Sequence, residues 1–208
     1  AGRTDVPVYR GATFPLLNSQ RRMLQWEGLH GQLFWKGAWT ERFYDGNQRP
    51  GAHPEQPYYV PELVEGMPTT KPARISAAQF MVDSVRSYPG EVSIWAAGPL
   101  TNLAIAARLD PQFAQLAAEL NFMGGSFNPI PADNHFAQEY RHSPRQEFNM
   151  RWDPEAASLV LKENWRQITQ VPVDATTRTL WSDKHKQTVA KANMPWSDYL
   201  GRFGRVLP

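Results

Sequence analysis

The chain has 208 residues, and its 22 Lys and Arg against 20 Asp and Glu leave a net charge of +2, too weak a field to gather nucleic acid or an anionic membrane. The absence of cysteine excludes disulfides, thiolate metal sites and a Cys nucleophile. No apolar run approaches the length that crosses a bilayer, and the amino terminus does not resemble a signal peptide. A soluble protein folded as one domain over residues 1–208 is therefore the expectation, cytoplasmic unless a secretion signal has been removed.

In chain order, Val6 to Gly11 reads as a short strand ending at a glycine turn. Residues 20–29 follow as a helix with Met23, Trp26 and Leu29 on one face. The stretch 31–68 is rich in Pro, Gly and aromatic residues, and the Pro cluster between 50 and 72 reads as a long ordered loop. His30, followed by Gly31, is its polar residue of interest. Ser76 then opens a helix with a capping-box pattern, carrying Met81, Val82 and Val85 at helical spacing up to Pro89. Residues 91–97 form a strand closed by Gly98-Pro99, and residues 100–108 a helix with Leu103, Ala104 and Ala107 inward. Asp110-Pro111 opens another helix by a cap-and-proline device. A strand at 120–123 runs into Gly124-Gly125, and residues 126–145 form a long polar loop of the kind that is commonly functional.

The stretch Glu147-Phe148-Asn149-Met150 reads as extended, with Glu147 and Asn149 on one side and Phe148 and Met150 on the other. Asp153 stands at an N-cap and Pro154 at the first helical position of a helix through about Glu163. A strand at 167–173 leads to Asp174, and residues 183–192 form a last helix. Strands alternating with helices in this order imply an α/β fold with a mostly parallel sheet and helices on both faces. Ligands of such a fold bind beyond the carboxyl ends of the strands.

Neither a phosphate-binding Gly-x-x-x-x-Gly-Lys loop, nor a Gly-x-Gly-x-x-Gly, nor a Gly-x-Ser-x-Gly nucleophile elbow occurs. The five His are scattered, without the close spacing of a zinc helix. A carboxylate and an amide remain: Glu147 and Asn149 at a sheet's carboxyl edge can accept and donate hydrogen bonds together, which suits a vicinal diol such as a sugar.

Four stretches, in order, carry a resemblance: Gly98-Pro99-Leu100-Thr101-Asn102-Leu103-Ala104, Met123-Gly124-Gly125, Glu147-Phe148-Asn149 running into Asp153-Pro154-Glu155-Ala156-Ala157, and Pro172-Val173-Asp174-Ala175-Thr176. In order and spacing the chain resembles the inosine-uridine preferring nucleoside hydrolase family. That resemblance implies the family's Rossmann-like fold and calcium-dependent hydrolysis of the N-glycosidic bond of ribonucleosides to base and ribose, typically in a homo-oligomer. It implies that Glu147 and Asn149 hold ribose hydroxyls together with an upstream asparagine, Asn128 or alternatively Asn134. It further places Met123 against the ribose, the backbone carbonyl of Ala97 on calcium, and His30 on a flap near the substrate.

The family's aspartate cluster, Asp-x-Asp-x-x-x-Asp-Asp, and its later His-Asp pair have no counterpart here. No catalytic residue is therefore placed in this chain, and its calcium site would be incomplete. The expectation is the ribose-holding part of a longer hydrolase, incomplete at both ends; the alternative is a ribose- or nucleoside-binding domain without hydrolysis.

Overall fold

Three short parallel strands position everything that follows. The computed structural model describes residues 5–31, 67, 69–127, 147–179, 182–192, 194 and 197. Its elements are α1 (Gln20–His30), α2 (Ala77–Ser87), β1 (Ser93–Ala96), α3 (Thr101–Leu109), α4 (Phe113–Leu116), β2 (Glu119–Met123), α5 (Phe148–Trp152), α6 (Pro154–Leu161), β3 (Ile168–Val171), α7 (Val173–Thr176) and α8 (Asp183–Lys191). The strands lie in the order β1-β2-β3, both pairs parallel. The α/β class with a parallel sheet is the one expected, and among the described residues no helix is long and apolar enough to cross a membrane.

Pairing aligns Ile94 with Leu120 and Ala96 with Phe122, so these side chains share one face of the sheet. On that face they meet Val82 and Val85 of α2, Leu103, Ala104 and Ala107 of α3, and Ala156 and Val160 of α6 in a single apolar cluster. Alanines in α3 let that helix approach closely, and Phe113 fills the remaining space edge-on to Trp165, ring centroids 5.6 Å apart. The opposite face of β1 carries Trp95, 78% exposed.

Caps explain most helix starts. Ser76 accepts from the Gln79 N–H at α2, and Asp153 from the Ala156 N–H at α6, with Pro154 in the first turn. Ser182 caps α8 in a reciprocal box with His185. At α2 the return half of the box is replaced, because the Gln79 amide turns instead to Asp83 at 2.8 Å.

Three local expectations are corrected, while helix α1 forms as expected. Residues 6–11 make no strand: Arg10 forms only an isolated parallel bridge with Ser76, flanked by Ala73 N–H to Val8 O and Ala77 N–H to Arg10 O. Helix α1 forms, but buries no residue, and Leu29 of its apolar stripe is exposed. The helix after Pro111 is not capped by Asp110 and begins only at Phe113. Finally, Phe148 to Met150 are helical rather than extended, with Glu147 as the extended N-cap. The N–H groups of Asn149 and Met150 find an acceptor in the Glu147 carboxylate, which favours the helical turn over an alternating strand. The greater part of the Pro cluster at 50–72 and of the 126–145 loop lies outside the described residues.

Asp110 turns to Arg86, whose Nε lies 2.7 Å and Nη2 2.8 Å from its two carboxylate oxygens. Burial by itself pushes the Asp110 carboxyl up, but the Arg86 hydrogen bond, the Gln112 N–H and the Arg86 charge outweigh it and hold the pKa below the ordinary 3.8. A carboxyl whose folded pKa is depressed adds stability above its unfolded pKa and loses it as the pH falls through the folded one. Because Arg86 is half exposed, Arg86→Ala is expected to lower stability at neutral pH by only about 1 kcal/mol. That deficit should shrink below pH 3.8; urea titrations at pH 7 and pH 3 measure it, and an equal deficit at both would refute the pairing's role.

Candidate functional site

The carboxyl ends of β1, β2 and β3 each leave their strand through a short polar motif, and side chains of α5 stitch two of these ends together. Glu147, 2% exposed, is the hub. Its Oε2 accepts from Gly125 N–H at 3.0 Å and Met150 N–H at 3.0 Å, and its Oε1 from Asn149 N–H at 2.9 Å. A carboxylate held by three backbone N–H groups is fixed in one rotamer and oriented without help from another side chain. It binds the turn after β2 to the first turn of α5.

The turn itself demands glycine. Gly125 has φ +76°, and a Cβ there would stand 2.5 Å from the Gln170 amide nitrogen. At Gly124 a Cβ would lie 2.7 Å from the Met150 methyl. Gln170 of β3 donates to the Gly124 carbonyl at 2.8 Å, and Asp174 of α7 accepts from Phe127 N–H at 3.0 Å. The third strand end thereby closes on the second.

Asn149 is buried beside Glu147. Its Nδ2 donates to the Met123 carbonyl at 3.0 Å and approaches the Met123 sulfur at 3.2 Å, and it reaches the Ala97 carbonyl at 3.5 Å. Four residues singled out in the sequence, Glu147, Asn149, Met123 and Ala97, are thus brought into one cluster. The amide is firmly held by Met123 and only at the outer limit of a hydrogen bond by Ala97. No hydrogen bond to Asn149 Oδ1 is found among the described residues, which leaves an acceptor open beside the Glu147 carboxylate.

His30 is not drawn into this cluster: it ends α1, exposed, with its ring 4.8 Å from that of Trp26. Asn128 and Asn134 lie outside the described residues. For calcium, the described residues offer a poor donor set. The ion takes about six to eight oxygens, several from carboxylates, whereas no three Asp, Glu or His come together among the described residues. The Ala97 carbonyl is the donor expected there, and the described residues around it do not complete a calcium site.

Sequence reasoning passed over Thr101, Asn102 and Gln170. Thr101 donates to Asp153 at 2.6 Å, and Asn102 accepts from Ala12 N–H at 2.7 Å, where a Cβ on Gly11 would collide with its amide. Both stand inside the Gly98–Ala104 motif, whose turn and helix periodicity concealed the polar positions. Alongside β1 and this motif lies a cavity of about 420 Å³ lined by Phe14, Trp95, Ala97, Pro99, Asn102 and Trp152 among others.

A parallel sheet whose strand ends gather an amide, a carboxylate and glycine turns defines a class, and the sequence comparisons identify it. The profile of the inosine-uridine preferring nucleoside hydrolase family matches residues 1–206, and the chain belongs to that family. It is 33% identical over 184 residues to a probable uridine nucleosidase 1 of Oryza sativa subsp. japonica, covering 88% of this chain and 45% of the relative. It is 31% identical over 181 residues to an inosine-uridine preferring nucleoside hydrolase of Leishmania major, covering 86% of this chain and 46% of the relative. Among solved structures, a plant nucleoside hydrolase superposes with a TM-score of 0.60 at 27% identity, over 97% of this chain and 52% of that one. A purine-preferring ribonucleoside hydrolase from Gardnerella vaginalis shares the fold with a TM-score of 0.61 at 21% identity, over 96% of this chain and 52% of that one. The chain spans about half the length of these relatives.

Removing the Glu147 carboxylate would leave three N–H groups without their acceptor, each worth about 1–3 kcal/mol when buried and unsatisfied. Glu147→Ala is expected to lower the unfolding free energy by roughly 3 kcal/mol or more, and Glu147→Gln by less, since one acceptor oxygen survives. Denaturant unfolding measures both. A loss within about 0.5 kcal/mol for the alanine variant, the range of an ordinary surface change, would contradict the hub role.

Proposed function

We propose that this chain supplies the ribose-holding part of an active site that hydrolyses the N-glycosidic bond of ribonucleosides to free base and ribose. The observation that carries the reading is the joining of Glu147, Asn149 and Met123 at the carboxyl ends of β1 and β2, in a chain belonging to the nucleoside hydrolase family. Three of the Glu147 lone-pair positions are taken by backbone N–H groups, and a carboxylate offers about four. The remaining one can accept a sugar hydroxyl without any reorganisation of the side chain. Asn149 presents Oδ1 to a second hydroxyl while Met123 holds its Nδ2, and the Met123 thioether supplies an apolar contact for a sugar face. Preorganised acceptors of this kind favour a bound geometry rather than a particular base.

Within the same reading, Asn128 or Asn134 adds a further ribose contact, His30 belongs to a flap over the substrate, and the Ala97 carbonyl is one ligand of a calcium ion. When bound, calcium would supply charge to activate water near the ribose. The roles proposed for the described side chains are binding and orientation. A homo-oligomer belongs to the proposal through the family resemblance alone. The names of the relatives include uridine, inosine-uridine and purine preferences, and the base is an outcome of the test.

Full-length protein incubated with inosine or uridine and calcium is expected to release ribose and free base, measured as reducing sugar and by chromatography, and a chelator should abolish the release. Tight binding of nucleoside without turnover would replace the hydrolase by the alternative, a binding domain. Asn149→Ala is expected to lower kcat/KM by about tenfold to a hundredfold, the kinetic equivalent of one or two lost hydrogen bonds. An unchanged kcat/KM in that variant would remove Asn149 from the site.

A further inference from the structure

Asp153 is fully buried, yet a helix cap needs only one of its oxygens. Oδ1 does that work, accepting from the Ala156 N–H at 3.1 Å. Oδ2 is turned the other way, where it accepts from the Thr101 hydroxyl at 2.6 Å and from the Leu16 N–H at 3.0 Å. Asp153 is at once the C-cap of α5, which holds Asn149, and the N-cap of α6. Thr101 opens α3, four residues after Ala97. The pairs Asn149 with Ala97 and Asp153 with Thr101 are therefore two ties, four residues apart along each chain segment, between the same two segments.

The two ties differ in strength. The Asn149 to Ala97 contact is 3.5 Å long, at the limit of a hydrogen bond, whereas a 2.6 Å hydroxyl to carboxylate bond is short and charge-assisted. We infer that Asp153 is a positioning residue of the ribose site: through Thr101 and Leu16 it sets the place of α5 against the β1–α3 turn, so that Asn149 and the Ala97 carbonyl face each other without being consumed by one another. The inference rests on the reading of Asn149 as a ribose partner. The same carboxylate holds Leu16, and Asn18 Nδ2 adds a bond to the Trp152 carbonyl at 3.1 Å, which together anchor the segment that leads into α1.

The test uses full-length protein carrying Asp153→Asn, Thr101→Val or Thr101→Ser, with Val85→Ala as a core variant away from the site. Asparagine keeps an oxygen for the Ala156 N–H but turns its amide NH2, a donor that cannot accept, toward the Thr101 hydroxyl and the Leu16 N–H. Asp153→Asn and Thr101→Val should each lower kcat/KM for a ribonucleoside by about tenfold to a hundredfold, the scale of a small misplacement of binding groups. Thr101→Ser should retain wild-type values, and the double variant Asp153→Asn/Thr101→Val should be no worse than Asp153→Asn alone. Val85→Ala should lose thermal stability without losing kcat/KM. If Asp153→Asn and Thr101→Val behave like Val85→Ala, with lower Tm and intact kcat/KM, the inference is overturned.

NMR of the unliganded proteins decides the positioning independently of turnover. The Leu16 amide should exchange at least about tenfold faster in Asp153→Asn, as expected for local opening of a lost hydrogen bond. The Asn149 side-chain amide resonances should shift in both Asp153→Asn and Thr101→Val but not in Thr101→Ser. Wild-type protein that turns over no nucleoside would refute the functional reading, while unmoved Asn149 and Leu16 signals would refute the positioning.

Discussion

Burying a carboxylate without partners is among the most expensive things a fold can do, and the architecture around the strand ends is organised by two that are buried six residues apart. Glu147 is satisfied by N–H groups from the turn after β2 and from α5. Asp153 is satisfied by α6, α3 and the segment before α1. Each carboxylate draws on chain segments that are distant in sequence, so neither can be accommodated until those segments have docked. The short helix α5, only five residues long, is held between them and has little stability of its own.

The apolar core and these polar ties divide the labour. Leu120, Phe122, Leu103 and Val160 bring the sheet and helices together, but hydrophobic contact is nondirectional and sets a distance rather than a register. Directional bonds then fix which atoms face one another at the strand ends. Gly124 and Gly125 belong to this second system, because Gly125 has a positive φ and a Cβ at either position would displace the ends of Met150 or Gln170. The result is a cluster at the strand ends in which the Glu147 carboxylate is held by backbone N–H groups and the Asn149 amide by the Met123 carbonyl.

Much of this was legible in the residues. Helix α2 was announced by Ser76 and its 3.6-residue stripe, α3 by its alanines after Gly98-Pro99, and α6 by Asp153-Pro154, because caps and periodicity are local properties. The grouping of Glu147, Asn149, Met123 and Ala97 was legible through the family resemblance. The extended reading of residues 147–150 was not upheld, since alternation of polar and apolar side chains fits a strand as well as a capped helical turn, and the Glu147 carboxylate decided between them. Helix α1 formed where its apolar stripe lies, yet it buries no residue and Leu29 stays in solvent, because spacing alone does not supply a partner surface.

The sequence by itself determined the α/β class, the helix caps at Ser76 and Asp153, the glycine turns and the family, because each is written in neighbouring residues or in motifs of fixed order. Only the tertiary structure decided that Asp110 serves Arg86 rather than a helix, and that Thr101 and Leu16 converge on Asp153. Tertiary structure alone likewise set the Asn149 amide on Met123 and left it at arm's length from Ala97. Those choices depend on hydrogen bonds between residues 24 to 137 positions apart, whose partners are selected by packing distance and direction rather than by any local pattern.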